Sequence, residues 1–102
     1  MTIHVVTRHP GALDWLRSQG VHWDRHHERF DGQEIKEADQ VIGILPMKVA
    51  AQICASGARY HHICMDLPND QRGSELSQEE MAQFGARLEE YRVAKIPWPR
   101  LE

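Results

Sequence analysis

The sequence predicts an α/β fold, a small and mostly parallel sheet flanked by helices, and three observations carry that prediction. Short β-branched or apolar runs alternate with amphipathic stretches along the 102 residues, the order from which strands and crossover helices build a parallel sheet. The run 40–45 is apolar almost without a break, as a central strand covered on both faces requires. Pro10 and Pro46 each follow a strand-like run, and proline at the first helical position gives up only an N–H that would have had no partner.

The elements follow in order. Residues 3–7 read as a first strand, short and β-branched. A helix starts at Pro10, with Ala12, Leu13, Trp15 and Leu16 on its apolar face, and Gly20 closes it. In the segment 21–30, Val21, Trp23 and Arg25 alternate with His22, Asp24 and His26, which predicts an extended strand. Asp31-Gly32 is a turn signal, and residues 33–38 read as a short turn or helix. After the strand 40–45, Pro46 opens a helix through Ser56, with Val49, Ala50, Ile53 and Cys54 on one face, and Gly57 ends it. Residues 60–65 form a further strand and 66–70 a loop. Ser77 with Glu80 three residues later is a capping-box signature. It predicts a final helix whose core face is Met81, Phe84, Leu88 and Tyr91. Pro97-Trp98-Pro99 is not helical and is expected to lie extended. The predicted order is β-α-β-β-α-β-α, in one domain over residues 1–93 with an extended tail over 94–102.

Bulk properties narrow the function. The length suits a single core, and hydrophobic residues at 41% are enough to fill one. A formal charge of −3 and a pI near 6.1 argue against wrapping long DNA or RNA, which needs a broad basic surface. A small anionic ligand needs only a few well-placed cations. No secretory signal or apolar run of membrane-spanning length is read in the chain, so a cytoplasmic location is expected and no membrane contact. Cys54 and Cys64 read as two buried thiols in a reducing compartment. No metal is expected. His22 and His26 are four apart, as are metal-binding pairs on helices, but their segment reads as extended. His61 and His62 fall on opposite faces of a strand, and no Cys-x-x-Cys or complete ligand set is present.

One similarity within the chain points to a site. Arg8-His9-Pro10 and Leu45-Pro46-Met47-Lys48 each place a proline and a cation where a strand gives way to a helix. In parallel sheets, ligands bind beyond the carboxyl ends of the strands, where helix N-termini suit phosphate.

The string Val6-Thr7-Arg8-His9-Pro10-Gly11-Ala12, followed by Trp15-Leu16, resembles the opening motif of a small CRISPR-associated family from type III loci. The run 41–46, Asp66-Leu67-Pro68 with Arg72-Gly73, and the run 84–91 are similar to it as well, so the likeness covers nearly the whole chain. Residues 21–39 and those after Val93 carry little of it. The resemblance implies a Csx-type ring nuclease with a Rossmann-like fold similar to that of CARF domains, usually a homodimer. Such proteins degrade the second messenger cyclic tetra-adenylate and switch the defence off. They need no cofactor, because the substrate's 2′-hydroxyl attacks the neighbouring phosphorus and expels the 5′-oxygen.

On that reading Arg8, His9 and Lys48 are the candidate catalytic residues. Arg8 would stabilise charge, since a guanidinium grips two phosphate oxygens at once; an ion pair with Asp14 or another carboxylate is its other use. Histidine is the side chain suited to a general base or acid near neutral pH, which makes His9 a candidate; a helix N-cap is its alternative. Lys48 opposes the helix dipole in the first turn of its helix, a hint of use towards a ligand, against an ordinary solvated lysine. Thr7, Gly11 and Ala12 would offer a hydroxyl and backbone N–H groups to phosphate, with Gly11 equally explained by turn chemistry. Leu45 and Pro46 would line the ligand. Asp66 would bond a ribose hydroxyl or cap its loop, and Arg72 would close over the ring or stay a surface cation. Three competing functions share these features: a cyclic oligoadenylate binder that only sequesters, an interaction subunit of the CRISPR effector using Ile96-Pro97-Trp98, and a histidine phosphatase. The last expects Gly directly after His, and here Pro10 intervenes.

Overall fold

The computed structural model describes residues 1–32, 34–68, 70 and 75–98. Within them the chain is α/β, with a five-stranded sheet in the order β2-β1-β3-β4-β5. Its strands are β1 (Ile3–Val6), β2 (Arg25–His27), β3 (Gln40–Gly43), β4 (Arg59–Cys64) and β5 (Arg87–Tyr91). The helices are α1 (Pro10–Ser18), α2 (Met47–Ala55) and α3 (Gln78–Gln83). β1 to β4 pair in parallel and β5 joins antiparallel to β4, an arrangement compatible with a small Rossmann-like fold.

Alternation along the strands sends successive side chains to opposite faces. Val5, Ile42 and Ile63 therefore pack with Ala12, Trp15 and Leu16 of α1 and with Leu76 and Met81 beside and on α3. Val6, Val41 and Tyr60 pack on the other face with Ala50 and Ile53 of α2. Side chains buried as completely as Leu16 and Ile53 each stabilise the fold by about 2 kcal/mol. α1 ends as its sequence requires. Gly20 takes φ +75, the Gly20 N–H bonds the Arg17 carbonyl at 3.0 Å, and the Val21 N–H bonds the Leu16 carbonyl at 3.1 Å, which completes a Schellman cap.

Two expectations are corrected. The strand foreseen over 21–30 is confined to Arg25–His27, because only these residues lie in register with β1, from His4 opposite Arg25 to Val6 opposite His27. The final helix does not run on to Tyr91. Its capping box is present, Ser77 with Glu80, but the helix stops at Gln83 and Gly85 turns the chain at φ +73. Leu88 and Tyr91 then lie on β5, paired with β4 from Tyr60 opposite Tyr91 to Cys64 opposite Arg87. The element order is accordingly β-α-β-β-α-β-α-β, and Asp66 follows β4 rather than the last strand of the sheet. Residues 94–98 belong to no helix or strand, and Arg72 and Gly73 lie outside the described residues. Among the described residues no helix is long and apolar enough to cross a membrane.

Candidate functional site

β1 is joined to β2 on one side of it and bonded to β3 on the other, so the connections leave in opposite directions between β1 and β3. In open α/β sheets that switch point, at the carboxyl ends of the strands, is where ligands bind. Val6 pairs with both His27 and Gly43 at this edge. The close approach of β3 to β1 here depends on Gly43, since a side chain there would meet the Val6 carbonyl at 2.8 Å.

A cleft of about 310 Å³ opens at this point, and Thr7, Arg8, His9, Ala12 and Leu45 are among its lining residues. Arg8 is exposed and has no ion pair or hydrogen bond among the described residues; Asp14, foreseen as its alternative partner, bonds Arg17 at 3.0 Å instead. His9 stands at the N-cap of α1, but its ring makes no capping bond. Its N–H donates to Thr7 Oγ1 at 3.1 Å. The Thr7 N–H donates to the His27 carbonyl at 2.9 Å, and the Ala12 N–H to the His9 carbonyl at 3.1 Å. These bonds fix the strand-to-helix turn. They leave the Arg8 guanidinium as the cation of the cleft, with Glu28 as its carboxylate.

The remaining foreseen residues lie elsewhere. Gly11 is buried, and a Cβ there would run into the Leu76 carbonyl; its need is close packing. Pro46 is the N-cap of α2, and Lys48 is exposed in the first turn of that helix without an ion pair among the described residues. Asp66 accepts from Arg87 at 3.4 Å across the turn into β5.

A broader groove of about 560 Å³ adjoins the cleft and shares Ile44, Leu45, Ile63, Met65 and Leu67 with it. Its polar members are Tyr60, His62, Cys64 and Tyr91, none of which was expected at the site. The Tyr60 hydroxyl accepts from the Leu45 N–H at 2.9 Å and contacts His62 Nδ1 at 2.6 Å, which fixes the exit of β3. Burial pushes the His62 and Tyr60 pKa values in opposite directions, down for the imidazole and up for the phenol, since both charged forms lose solvation. Burial likewise pushes the Cys64 thiol up. Cys54 and Cys64 are free and half-buried. The side chains of His61 and His62 diverge, His61 to Gln40 Oε1 at 2.8 Å and His62 to Tyr60. So do their counterparts on β2: His26 Nε2 meets the Thr7 carbonyl at 2.8 Å and His27 Nε2 meets His4 Nδ1 at 3.1 Å.

The cleft is thus a short apolar trough with one guanidinium, one carboxylate, a threonine hydroxyl and an imidazole at its rim. Such a set can hold a phosphodiester and an adjacent ribose hydroxyl, with Arg8 on the phosphate. Residues 4–94 match the model of a family described as "Putative CRISPR-associated protein (Cas_VVA1548)". No curated protein and no solved structure matches the chain. With a match over nearly its whole length, the chain belongs to this family of CRISPR-associated proteins.

Proposed function

We propose that this CRISPR-associated chain is a ring nuclease that binds cyclic tetra-adenylate and cuts it by attack of the ring's own 2′-hydroxyl, so ending the signal. The observation that carries the reading is Arg8. It is an exposed guanidinium without a partner among the described residues, at the carboxyl ends of the parallel strands and in the cleft between β1 and β3. An unpaired arginine at a switch point suits an anion that the net charge of −3 would otherwise repel.

In this mechanism Arg8 holds the non-bridging oxygens and offsets the charge that grows as the phosphorus becomes five-coordinate. Thr7 and Glu28, which also line the cleft, would face the ribose. His9 stands at the rim to move a proton, and Lys48 adds a second positive charge at the neighbouring helix start. The adjoining groove, apolar and edged by Tyr91 and His62, offers flat surfaces for adenine bases. Two copies about a two-fold axis would present this set twice, matching the symmetry of the ring.

The test is incubation of the purified protein with labelled cyclic tetra-adenylate in EDTA, followed by chromatography. Linear or dimeric adenylates ending in a 2′,3′-cyclic phosphate are expected. An intact ring that comigrates with the protein would replace cleavage by sequestration, and an intact ring that does not bind would remove the nucleotide altogether.

A further inference from the structure

The cleft at the switch point holds two opposite charges that do not pair. Arg8 and Glu28 both line it. Both are exposed, and neither makes a hydrogen bond or ion pair among the described residues. Exposed opposite charges elsewhere do close on each other: Arg17 takes Asp14 at 3.0 Å, Arg59 takes Glu90 at 2.7 Å and Arg87 takes Glu89 at 2.9 Å. In the cleft, both charges remain open to a ligand that uses them.

The backbone places Glu28 there. Val6 lies opposite His27 in the pairing of β1 with β2. The Thr7 N–H donates to the His27 carbonyl at 2.9 Å, and His26 Nε2 meets the Thr7 carbonyl at 2.8 Å. The chain at residue 28 is thus tied to the turn that carries Arg8. Alternation along β2 then separates the side chains. The His27 ring turns away to His4 at 3.1 Å, and His4 meets Asp39 at 3.0 Å. The Thr2 N–H, the His4 ring and the Lys36 N–H push the Asp39 pKa down to about 2, so that carboxylate is engaged in the interior. Glu28, next after His27, is the carboxylate left to the cleft.

Of the polar side chains that line the cleft, Thr7, Arg8, His9 and Glu28, only the last two are useful bases. A threonine hydroxyl is a very weak base, and a guanidinium stays protonated. A bound phosphodiester acts on the two in different ways. An anion beside a carboxylate raises its affinity for a proton, as a general base needs. An anion beside an imidazole favours the charged ring, which has no lone pair left to accept with. The phosphodiester therefore prepares Glu28 to accept a proton and His9 to give one. As the proton moves to Glu28, negative charge moves to the phosphorus oxygens, where Arg8 offsets it.

We infer that Glu28 is the proton acceptor of the cleavage site, working beside Arg8 on the bound phosphodiester. This rests on the ring-nuclease reading. The 2′-hydroxyl gives its proton to a Glu28 carboxylate oxygen as the 2′-oxygen bonds phosphorus and the bond from phosphorus to the 5′-oxygen breaks. The 5′-oxygen takes a proton from the His9 ring. Glu28 then loses its proton to water and His9 regains one, so the site is left as it began.

The experiment uses the full chain and single-turnover cleavage of labelled cyclic tetra-adenylate. Glu28→Gln keeps the size of the side chain and its capacity to hydrogen-bond, but has no basic oxygen. It is expected to cleave about 100-fold more slowly and to keep its melting temperature. Its binding of the ring should stay within about threefold of the wild type or become tighter, because a charge that repels the phosphates is gone. The charged or titratable groups that share the cleft with Glu28 are Arg8 and His9, and both remain in the variant. The wild-type rate should fall as acid pH protonates the base, and Glu28→Gln should lack that fall. Glu28→Asp keeps a carboxylate and should bring back the acid fall with part of the rate. Cleavage at the wild-type rate by Glu28→Gln would overturn the assignment. So would a loss of ring binding large enough to account for its slow cleavage, which would make Glu28 a ribose contact only. Either result, obtained beside a wild-type protein that cleaves, faults the assignment alone. If the wild-type protein leaves the ring intact, the nuclease reading fails and the role of Glu28 falls with it.

Discussion

Arg8 makes no ion pair among the described residues, and Asp14, the carboxylate foreseen as its partner, is held by Arg17 at 3.0 Å. On the proposed function, replacing Arg8 by alanine should lower cleavage of cyclic tetra-adenylate by roughly 100- to 1000-fold and leave the melting temperature unchanged, since Arg8 makes no hydrogen bond or ion pair among the described residues; single-turnover cleavage and a thermal melt measure both halves. His9→Ala should cost less, since its ring makes no capping bond and no other hydrogen bond among the described residues. Gly11 behaves in the opposite way. A methyl group there meets the Leu76 carbonyl, so Gly11→Ala should destabilise by about 1–3 kcal/mol and lower the melting temperature by several degrees, whatever it does to binding. The sequence made Thr7, Arg8, His9 and Leu45 legible because a motif and a strand-to-helix boundary coincide there. It gave no sign of the Asp39–His4–His27 chain, whose members are up to 35 positions apart and meet only through strand pairing. His26 has metal-pair spacing with His22, yet it is its neighbour His27 that meets His4, because neighbours on a strand point apart.

At the scale of elements, α3 and β5 show how one pattern serves two structures. Phe84, Leu88 and Tyr91 are spaced four and three apart, as on the face of a helix. The helix is nevertheless cut at Gln83, because Gly85 adopts φ +73 and the Ala86 N–H returns to the Met81 carbonyl at 3.0 Å. What favours a strand afterwards is tertiary: the Asp66 N–H bonds the Phe84 carbonyl at 2.9 Å, and Arg59 grips Glu90 with two bonds of 2.8 and 2.7 Å across β4 and β5. Neither contact can be read from local spacing, whereas β1, β3, α1 and α2 could be read because each carries its own start or stop signal. The short α3 leans on its cap, in which Ser77 Oγ accepts the Glu80 N–H at 3.2 Å and Glu80 Oε1 accepts the Ser77 N–H at 3.1 Å. Ser77→Ala should therefore cost about 1 kcal/mol, a loss that chemical denaturation would read as a lower midpoint at constant slope. An unchanged midpoint would mean that the packing of Leu76 and Met81 alone keeps α3 in place.

For the whole molecule, titration sets a window of stability. His27, His61 and His62 all have pKa values below the ordinary 6.5, with burial as the largest cause in each. As the pH falls below 6.5 the unfolded chain takes up protons that the folded chain refuses, so stability is lost progressively there. Asp39, lowered from 3.8 to about 2, acts further down: its contribution is complete above 3.8 and disappears as the pH falls towards 2. Glu89 and Glu90, lowered by Tyr91 and Arg59 respectively, add to that second loss below 4.5. On the alkaline side the sign reverses. Cys64 and Tyr60 are pushed up by burial from 9.0 and 10.0, so above those values the unfolded chain gives up protons first and stability falls as the pH rises. The melting temperature should thus be highest between about pH 7 and 9 and fall on both sides, with the acid fall in two stages. Scanning calorimetry at a series of pH values tests this. A melting temperature that rose from pH 7 to 5 would show that these histidines gain carboxylate partners on protonation, and that their burial is not what governs them.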